Sequence, residues 1–414
     1  MLLLALRYWL LPDIDHYRQD IAAVITQAAG QRVTIGAVSA EWDGLRPNLI
    51  LRTVQVHNKE GDPALILNLI ESTLSWLSIL HGEVRFHTIR INKPDLTIRR
   101  DTEGIIHVAG VALSPDQSEG GFADWLLRQR QLILSDANIV WQDDQRGSPA
   151  LELKAVNLRL ENRGQHHRFG IHATPPSNLA APLDIRGDFT GDSLGSLEKW
   201  RGQIFTQLDY ADIAAWRPWL PFPETIEFNR GAGSIRMWLG IDGTVVEGLT
   251  ADVRLQNVKT RLAQELPELN LISLKGRVGW KRINNGTDEG TELSTRGLSI
   301  SIHGEETLQP LNLSLQTFST DNDKSGSGRL NLNVLDLETL MNLVEYLPVQ
   351  VSLRERLDEL SPIGEVRDIQ AEWNGEWPTP TQFNIKGGFT NLGMKKFYPI
   401  PAFRGISGNI AGTE

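Results

Sequence analysis

The chain has 414 residues, of which 40% are hydrophobic and 22% are charged, so it can bury a core and exceeds the length of an ordinary single domain. Its formal net charge of −10 argues against wrapping nucleic acid, because that function requires a dominant basic face. The absence of cysteine excludes disulfides, thiolate nucleophiles and cysteine-ligated metal sites.

The N-terminal segment Met1–Leu11 is apolar but too short to cross a bilayer, which takes about 20 apolar residues. It contains Arg7, Tyr8 and Trp9, residue types that lie at the headgroup level of membrane helices. We therefore predict that residues 1–11 are the C-terminal end of a truncated transmembrane helix, with these three residues at the membrane interface. The alternative is a buried apolar N-terminus of a soluble domain.

Helical periodicity is confined to a few short segments. After Pro12, apolar residues recur at steps of three and four until Gly30, which predicts one amphipathic helix. Similar patterns predict four further helices, at Phe122–Arg130, Tyr210–Leu220, Leu337–Tyr346 and Arg354–Leu360.

From Val33 onward the dominant hydrophobic period is two, which is the period of a strand with one apolar and one polar face. Within the strand-like run that begins at Leu151, the apolar phase slips between Ala155 and Val156, which predicts a β-bulge. The predicted apolar face includes Leu151, Leu153, Leu298, Ile300, Ile302, Leu311, Leu313, Leu315, Leu330, Leu332 and Val334. The fold class is therefore mainly β with a few short helices, arranged in long antiparallel meanders.

An apolar sheet face of this kind must be covered by something. A second sheet would cover it in a closed sandwich. In an open groove, the side chains named above would be the lipid-groove lining and fatty acyl chains would cover them. The driving force is the same in both, about 25 cal/mol per Å² of apolar area removed from water. Periodicity alone leaves both alternatives open.

No catalytic constellation is present in the sequence, so we predict neither an enzyme nor a bound cofactor or metal. The segment Asp321–Gly326 has the front half of a calcium loop, but Leu332 stands where the bidentate glutamate belongs, and a hairpin turn explains it better. His166 and His167 would point to opposite faces of a strand and so cannot readily share an ion. We predict that both lie in a solvent-exposed loop.

The order and spacing of several segments resemble the AsmA-like family, in particular its YhdP type. The resemblance covers nearly the whole chain, although no single piece is a strict motif. The matching segments are Leu11–Arg18, Gly30–Ile35, Trp42–Pro47, Ser75–Leu80, Gly82–Phe86, Lys93–Ile98, Val108–Gly110, Asp212–Leu220 and Phe403–Gly408.

The resemblance implies an inner-membrane helix followed by a long, curved antiparallel sheet that forms a repeated, taco-like β-groove in the periplasm of a Gram-negative bacterium. It implies phospholipid transport between the inner and outer membranes in support of the outer-membrane barrier. The implied partners are phospholipid acyl chains, the inner membrane and outer-membrane or periplasmic proteins reached through a missing C-terminal part, with no nucleic acid. The alternative is an envelope scaffold or interaction module with a closed β core. The resemblance supplies no catalytic residues.

The resemblance also implies a division of the chain into modules, and it implies that the chain is truncated at both ends. After the membrane segment at 1–11, we expect an AsmA-like N-terminal module at 12–115. The central β region then occupies 116–230 and 231–400, and a further module begins at 401–414.

Overall fold

The computed structural model describes residues 13–29, 32–44, 46–57, 61–76, 85–113, 122–220, 225–286, 288–302, 308, 310–320, 323–349, 351–375, 380–397, 399 and 401–413. Arg7, Tyr8, Trp9 and Asp321 lie outside these residues. The described residues fall into two compact units, the first within Met1–Leu208 and Gly240–Val245 and the second within Asp209–Leu239 and Val246–Glu414.

Helices are short and few, as the sequence predicts. One 3₁₀ turn lies at Ile14–Tyr17, directly before the first α-helix, and a second 3₁₀ segment lies at Leu194–Lys199. The α-helices are α1 (Arg18–Ala29), α2 (Phe122–Arg128), α3 (Leu337–Val344) and α4 (Val351–Leu360). Asp336 caps α3, because its Oδ2 accepts a hydrogen bond from the Thr339 backbone N–H at 2.7 Å.

The predicted helix at Tyr210–Leu220 is wrong, because the segment after Asp212 forms a series of turns. Asp212 does make a helix-type cap, accepting a hydrogen bond from the Ala215 N–H at 3.1 Å. Pro218 then lacks the N–H that a helix requires and disfavours the helical conformation at Arg217. The cap is therefore present without the helix.

The first unit contains β1 (Val33–Asp43), β2 (Arg46–His57), β3 (Pro63–Leu74), β4 (Phe86–Asn92), β5 (Asp95–Arg100), β6 (Ile106–Val108), β7 (Val111–Leu113), β8 (Gln131–Asp143), β9 (Ser148–Arg163), β10 (His166–Thr174), β11 (Leu183–Thr190) and most of β12 (Arg201–Asp212). From β1 to β4 and from β8 to β12, neighbours along the sheet pair antiparallel. Both β4 and β5 instead pair parallel with β8. The sheet is therefore mixed, where the sequence predicts an antiparallel one.

The second unit contains β14 (Val245–Arg261), β15 (Leu269–Asn285), β16 (Asp288–Ile302), β17 (Leu311–Thr320), β18 (Asp323–Asp336), β19 (Ile363–Asn374), β20 (Gln382–Met394) and β21 (Phe403–Thr413), and most of β13 (Glu227–Asp242). From β14 to β21, each strand pairs antiparallel with the next. This arrangement is an open meander that does not close on itself.

β-Bulges change which face of the sheet the side chains of a strand lie on. Ala155 has a φ of 49°, and the β8–β9 register shifts around Ala137, which faces Val156. The predicted slip between Ala155 and Val156 is thus confirmed. It allows Leu153 and Val156 to pack in the same apolar cluster although they are three positions apart.

Helices α1 and α2 each pack on the strands beside them and form a small apolar core there. Helix α1 packs Ile21 and Ile25 against buried residues of β1 to β3. Helix α2 packs Trp125 and Leu126 against Phe86, Ile89 and Leu132, which are buried in the sheet. Each helix covers only the strands beside it, so these two helices leave the apolar face of the other strands uncovered.

Candidate functional site

An apolar row crosses the second unit from β14 to β20. In an antiparallel sheet, residues directly opposite each other share a face, so successive pairings define the row. We call this row the open row; its members are Leu249, Trp280, Leu293, Leu315, Leu330, Ala371 and Ile385.

A second row runs alongside the open row on the same face, two positions along each strand. Leu332 and Ile369 are buried within it, and Leu313 packs against them. Its members are Ala251, Val278, Thr295, Leu313, Leu332 and Ile369. The two rows together form an apolar band that crosses successive strands.

The opposite face of the same strands is polar. Its rows include Lys281, Glu292, Gln316, Arg329 and Glu372, with a Lys281–Glu292 salt bridge at 3.1 Å and an Arg329–Glu372 salt bridge at 2.7 Å. Charge pairing of this kind suits a water-facing surface.

The open row is only partly covered. Leu293 is 49% exposed, and the remaining members of the open row are half-buried. Other described residues, such as Ile66 and Ile272, are exposed to a similar degree, so exposure alone does not distinguish Leu293. What distinguishes the open row is that apolar side chains follow one another across seven neighbouring strands.

Helix α3 closes the neighbouring end of the apolar face. Leu343 is 7% exposed and packs with Leu255, Val258, Leu269 and Leu271, which are all buried. Tyr346, just after the helix, packs against the same cluster. The face of the second unit is thus closed at one end by α3 and partly open along the open row.

The first unit also has an apolar face. Leu158, Ile171 and Ile185 lie opposite one another on β9, β10 and β11, and all three are half-buried. In the next row, the Phe169 ring lies over Gly187, where a Cβ would collide with it. Only glycine at position 187 lets this ring lie flat against the sheet.

A polar pocket of about 430 Å³ lies where this face ends. Asn162 and His167 lie two positions beyond Leu160 and Phe169 on the same strands, so they continue the same face. Helix α2 and the loop before the second 3₁₀ segment supply further walls. The pocket is lined by Arg85, Asp124, Leu127, Arg128, Asn162, Gly164, His167, Asp192 and Ser193.

Buried hydrogen bonds fix the floor of the polar pocket. Asn162 Nδ2 donates to Gln129 O at 2.7 Å, which directs Asn162 Oδ1 towards His167 Nδ1, 2.7 Å away. His167 Nε2 lies 3.1 Å from Gly191 O, and the ring stacks on Trp200 with centroids 5.0 Å apart. His167 is 4% exposed, so the prediction that both histidines lie in an exposed loop is wrong. The prediction that the two histidines point to opposite faces of the strand is confirmed, since His166 pairs with Asp188 on the polar face.

Burial lowers the pKa of His167 below its ordinary 6.5, and the contact with Gly191 opposes this shift only in part. The unfolded chain therefore binds a proton at this site more readily than the folded chain does. We expect the free energy of unfolding to fall as pH drops below about 6.5, by at most about 1.4 kcal/mol per pH unit for one proton. Denaturant titrations across this range should show a weaker pH dependence for His167→Gln. The His166→Gln variant should retain the His167-dependent loss, and equal slopes in all three proteins would contradict the assignment.

The residues predicted from alternation do not all lie in one place. Leu298, Ile300, Leu311, Leu313, Leu330 and Leu332 come together in one cluster, and Ile302 packs in the cluster covered by α3. Leu315 belongs to the open row, whereas Val334 is half-buried opposite Arg367 and outside these clusters. In the first unit, Leu151 is buried and Leu153 packs near Val156. Periodicity did not indicate that Trp280, Leu293 and Ile385 belong to the same row, because membership of a row depends on the register between strands.

Other kinds of site are not evident in the part of the chain that the structure describes. No group of three or more His, Asp or Glu side chains there is arranged to hold a metal ion. None of the described helices combines the length and hydrophobicity that a membrane crossing requires.

Comparison with known families decides the affiliation of the chain. The family model described as "YhdP protein" matches residues 1–414. The chain belongs to the YhdP family. No curated protein and no solved structure matches this YhdP-family chain. The affiliation thus comes from the family model, and the open apolar face comes from the structure.

Proposed function

We propose that this YhdP-family chain binds phospholipid acyl chains on the apolar faces of its sheets. It would serve as a segment of a conduit that carries phospholipid between the inner and outer membranes and supports the outer-membrane barrier. In this proposal the chain is anchored in the inner membrane by an N-terminal helix, and its bulk lies in the periplasm. It acts by binding rather than by catalysis.

The observation that carries the proposal is the open row. Its side chains, from Leu249 to Ile385, are apolar in every strand from β14 to β20, and Leu293 remains 49% exposed. An acyl chain laid across these strands would contact one apolar side chain after another. At about 25 cal/mol per Å², the removal of this surface from water favours occupancy by a long, flexible hydrocarbon.

Site-specific photo-cross-linking tests the proposal. A photoreactive residue at Leu315 is expected to form phospholipid adducts, identified by mass spectrometry, because this position lies on the open row. The same residue at Ser314 is the matched control, since its neighbouring position points to the polar face. Absence of lipid adducts at 315, together with adducts to protein, would favour an envelope scaffold with its apolar face covered by a partner.

A further inference from the structure

The polar pocket of the first unit has a composition that an acyl-binding face alone does not require. We propose that it binds the headgroup of a zwitterionic phospholipid, a phosphodiester with a tethered ammonium, while the acyl chains lie on the adjoining apolar face. This inference rests on the proposed function and specifies its substrate class.

The position of the pocket suits a headgroup. Asn162 and His167 are nearly buried and form the floor of the pocket, two positions along their strands from Leu160 and Phe169. Leu160 packs in the cluster that α2 covers, so Phe169 begins the apolar side of the boundary. Beyond Phe169, the half-buried Ile171 continues the apolar side of this boundary. An amphipathic molecule aligned with the strands would meet each surface with the matching part of its structure.

The charges of the pocket suit a zwitterion better than a simple anion. Arg128 provides an exposed guanidinium group, a kind of group that binds phosphate oxygens through paired hydrogen bonds. Asp124 and Asp192 provide carboxylates in the same pocket, and these would repel a lone phosphate. A ligand that carries both charges can contact Arg128 with its phosphate and Asp192 with its ammonium group.

The carboxylates are held in place and still have acceptor capacity. Ser193 Oγ donates to the two oxygens of Asp124 at 3.0 and 2.9 Å, and Gln165 Nε2 donates to Asp192 Oδ1 at 2.5 Å. A carboxylate offers about four lone-pair positions, so Asp192, which accepts from Gln165, can also accept from an ammonium group.

The pocket is also preorganised and of suitable size. Gln129 is fully buried, and its backbone oxygen holds the Asn162 amide. A volume of about 430 Å³ falls in the range of small-molecule sites and leaves the acyl chains outside the pocket. A site fixed before binding loses less conformational freedom when the ligand arrives.

Calorimetric titration of the purified chain with short-chain lipids below their micelle concentrations tests the assignment. Dihexanoyl phosphatidylethanolamine should bind about tenfold more tightly than dihexanoyl phosphatidylglycerol, which lacks the ammonium. Arg128→Gln should weaken both lipids by about tenfold, because both carry the phosphodiester. Asp192→Asn keeps the acceptor for Gln165 and should weaken only the ethanolamine lipid.

Arg163→Gln is the matched control. Arg163 is exposed and adjacent to Asn162 on β9, but it points to the opposite face, so both lipids should bind as they do to the wild type. Thermal unfolding of every variant checks that the exposed Arg128 has been replaced without loss of the fold.

Three results would overturn the inference. The first is equal affinity for the two lipids. The second is an Arg128→Gln variant that binds both lipids as tightly as Arg163→Gln does. The third is that inorganic phosphate displaces bound lipid as effectively as the ethanolamine lipid does. The third would identify a free-phosphate site. If lipid adducts persist at Leu315 of the second unit while any of these occurs, only the headgroup assignment fails. If those adducts are also absent, the proposed function fails.

Discussion

Leu293→Glu is expected to remove most of the phospholipid that purifies with the protein while leaving the chain folded. Leu293 lies between Trp280 and Leu315 in the open row, so the new carboxylate would face an acyl chain laid along that row. Burying a charge against hydrocarbon without a partner is strongly unfavourable, and a penalty of only about 1.4 kcal/mol already lowers affinity tenfold. Because the side chain is 49% exposed, the carboxylate can remain in water when lipid is absent. Mass spectrometry of extracted lipid per mole of protein measures the effect.

Ser294→Glu is the control for added charge. It introduces the same carboxylate one position along β16, on the polar face opposite Ser314, and should retain lipid at the wild-type level. Circular dichroism and thermal unfolding establish that both variants are folded. A folded Leu293→Glu protein with undiminished lipid would show that the open row is not the acyl-binding surface.

The sequence reveals which face of a strand is apolar, because side chains alternate with a period of two. Leu311, Leu313, Leu330 and Leu332 were predicted on this basis, and they do pack in one cluster. The bulge at Ala155 was also predicted, since a break in the alternation is local and needs no knowledge of neighbouring strands.

The register between strands is not accessible in this way. Leu293 lies opposite Leu315 only because β16 and β17 pair with one particular offset, and that offset changes further along, between Thr295 and Leu298. Several registers keep the apolar residues on the same face, so periodicity does not choose among them. The same limit applies to the parallel pairing of β4 and β5 with β8, which is set by contacts between distant segments.

Polar residues at the end of an apolar face were the hardest to predict. His167 belongs to a strand that reads as polar at its start, and the sequence suggested an exposed loop. Its burial depends on Asn162 from the neighbouring strand and on stacking with Trp200, which comes from a later segment. A signal was nevertheless present, because His167, Phe169 and Ile171 are spaced two apart and share a face.

The helix prediction at Tyr210–Leu220 fails for a different reason. Its capping aspartate and apolar spacing resemble those of α3, and the cap bond forms in both segments. Pro218 has no counterpart in Leu337–Val344, and it prevents the regular hydrogen bonds that would follow. Here a single residue outweighs the periodicity of the whole segment.

Leu343→Ala is expected to lower the free energy of unfolding of the second unit by about 2–5 kcal/mol, the range for removing a buried leucine side chain. Leu343 is 7% exposed against Leu255, Val258 and Leu271, and the vacated volume would be lined by side chains held in the sheet. Denaturant unfolding measures the loss of stability.

Hydrogen exchange within α3 shows whether the loss is local. Glu338→Ala, on the exposed side of the first turn, is the matched control and should lower stability by no more than about 1 kcal/mol, the range for a carboxylate that interacts with the helix dipole. If α3 is the closure of the apolar face, its amides should exchange faster in Leu343→Ala than in Glu338→Ala, because the leucine is what holds the helix to the sheet. Equal exchange in the two variants would mean that the helix is held elsewhere. The contact of Leu343 with the sheet would then not explain why one end of this apolar face is closed while the open row is exposed.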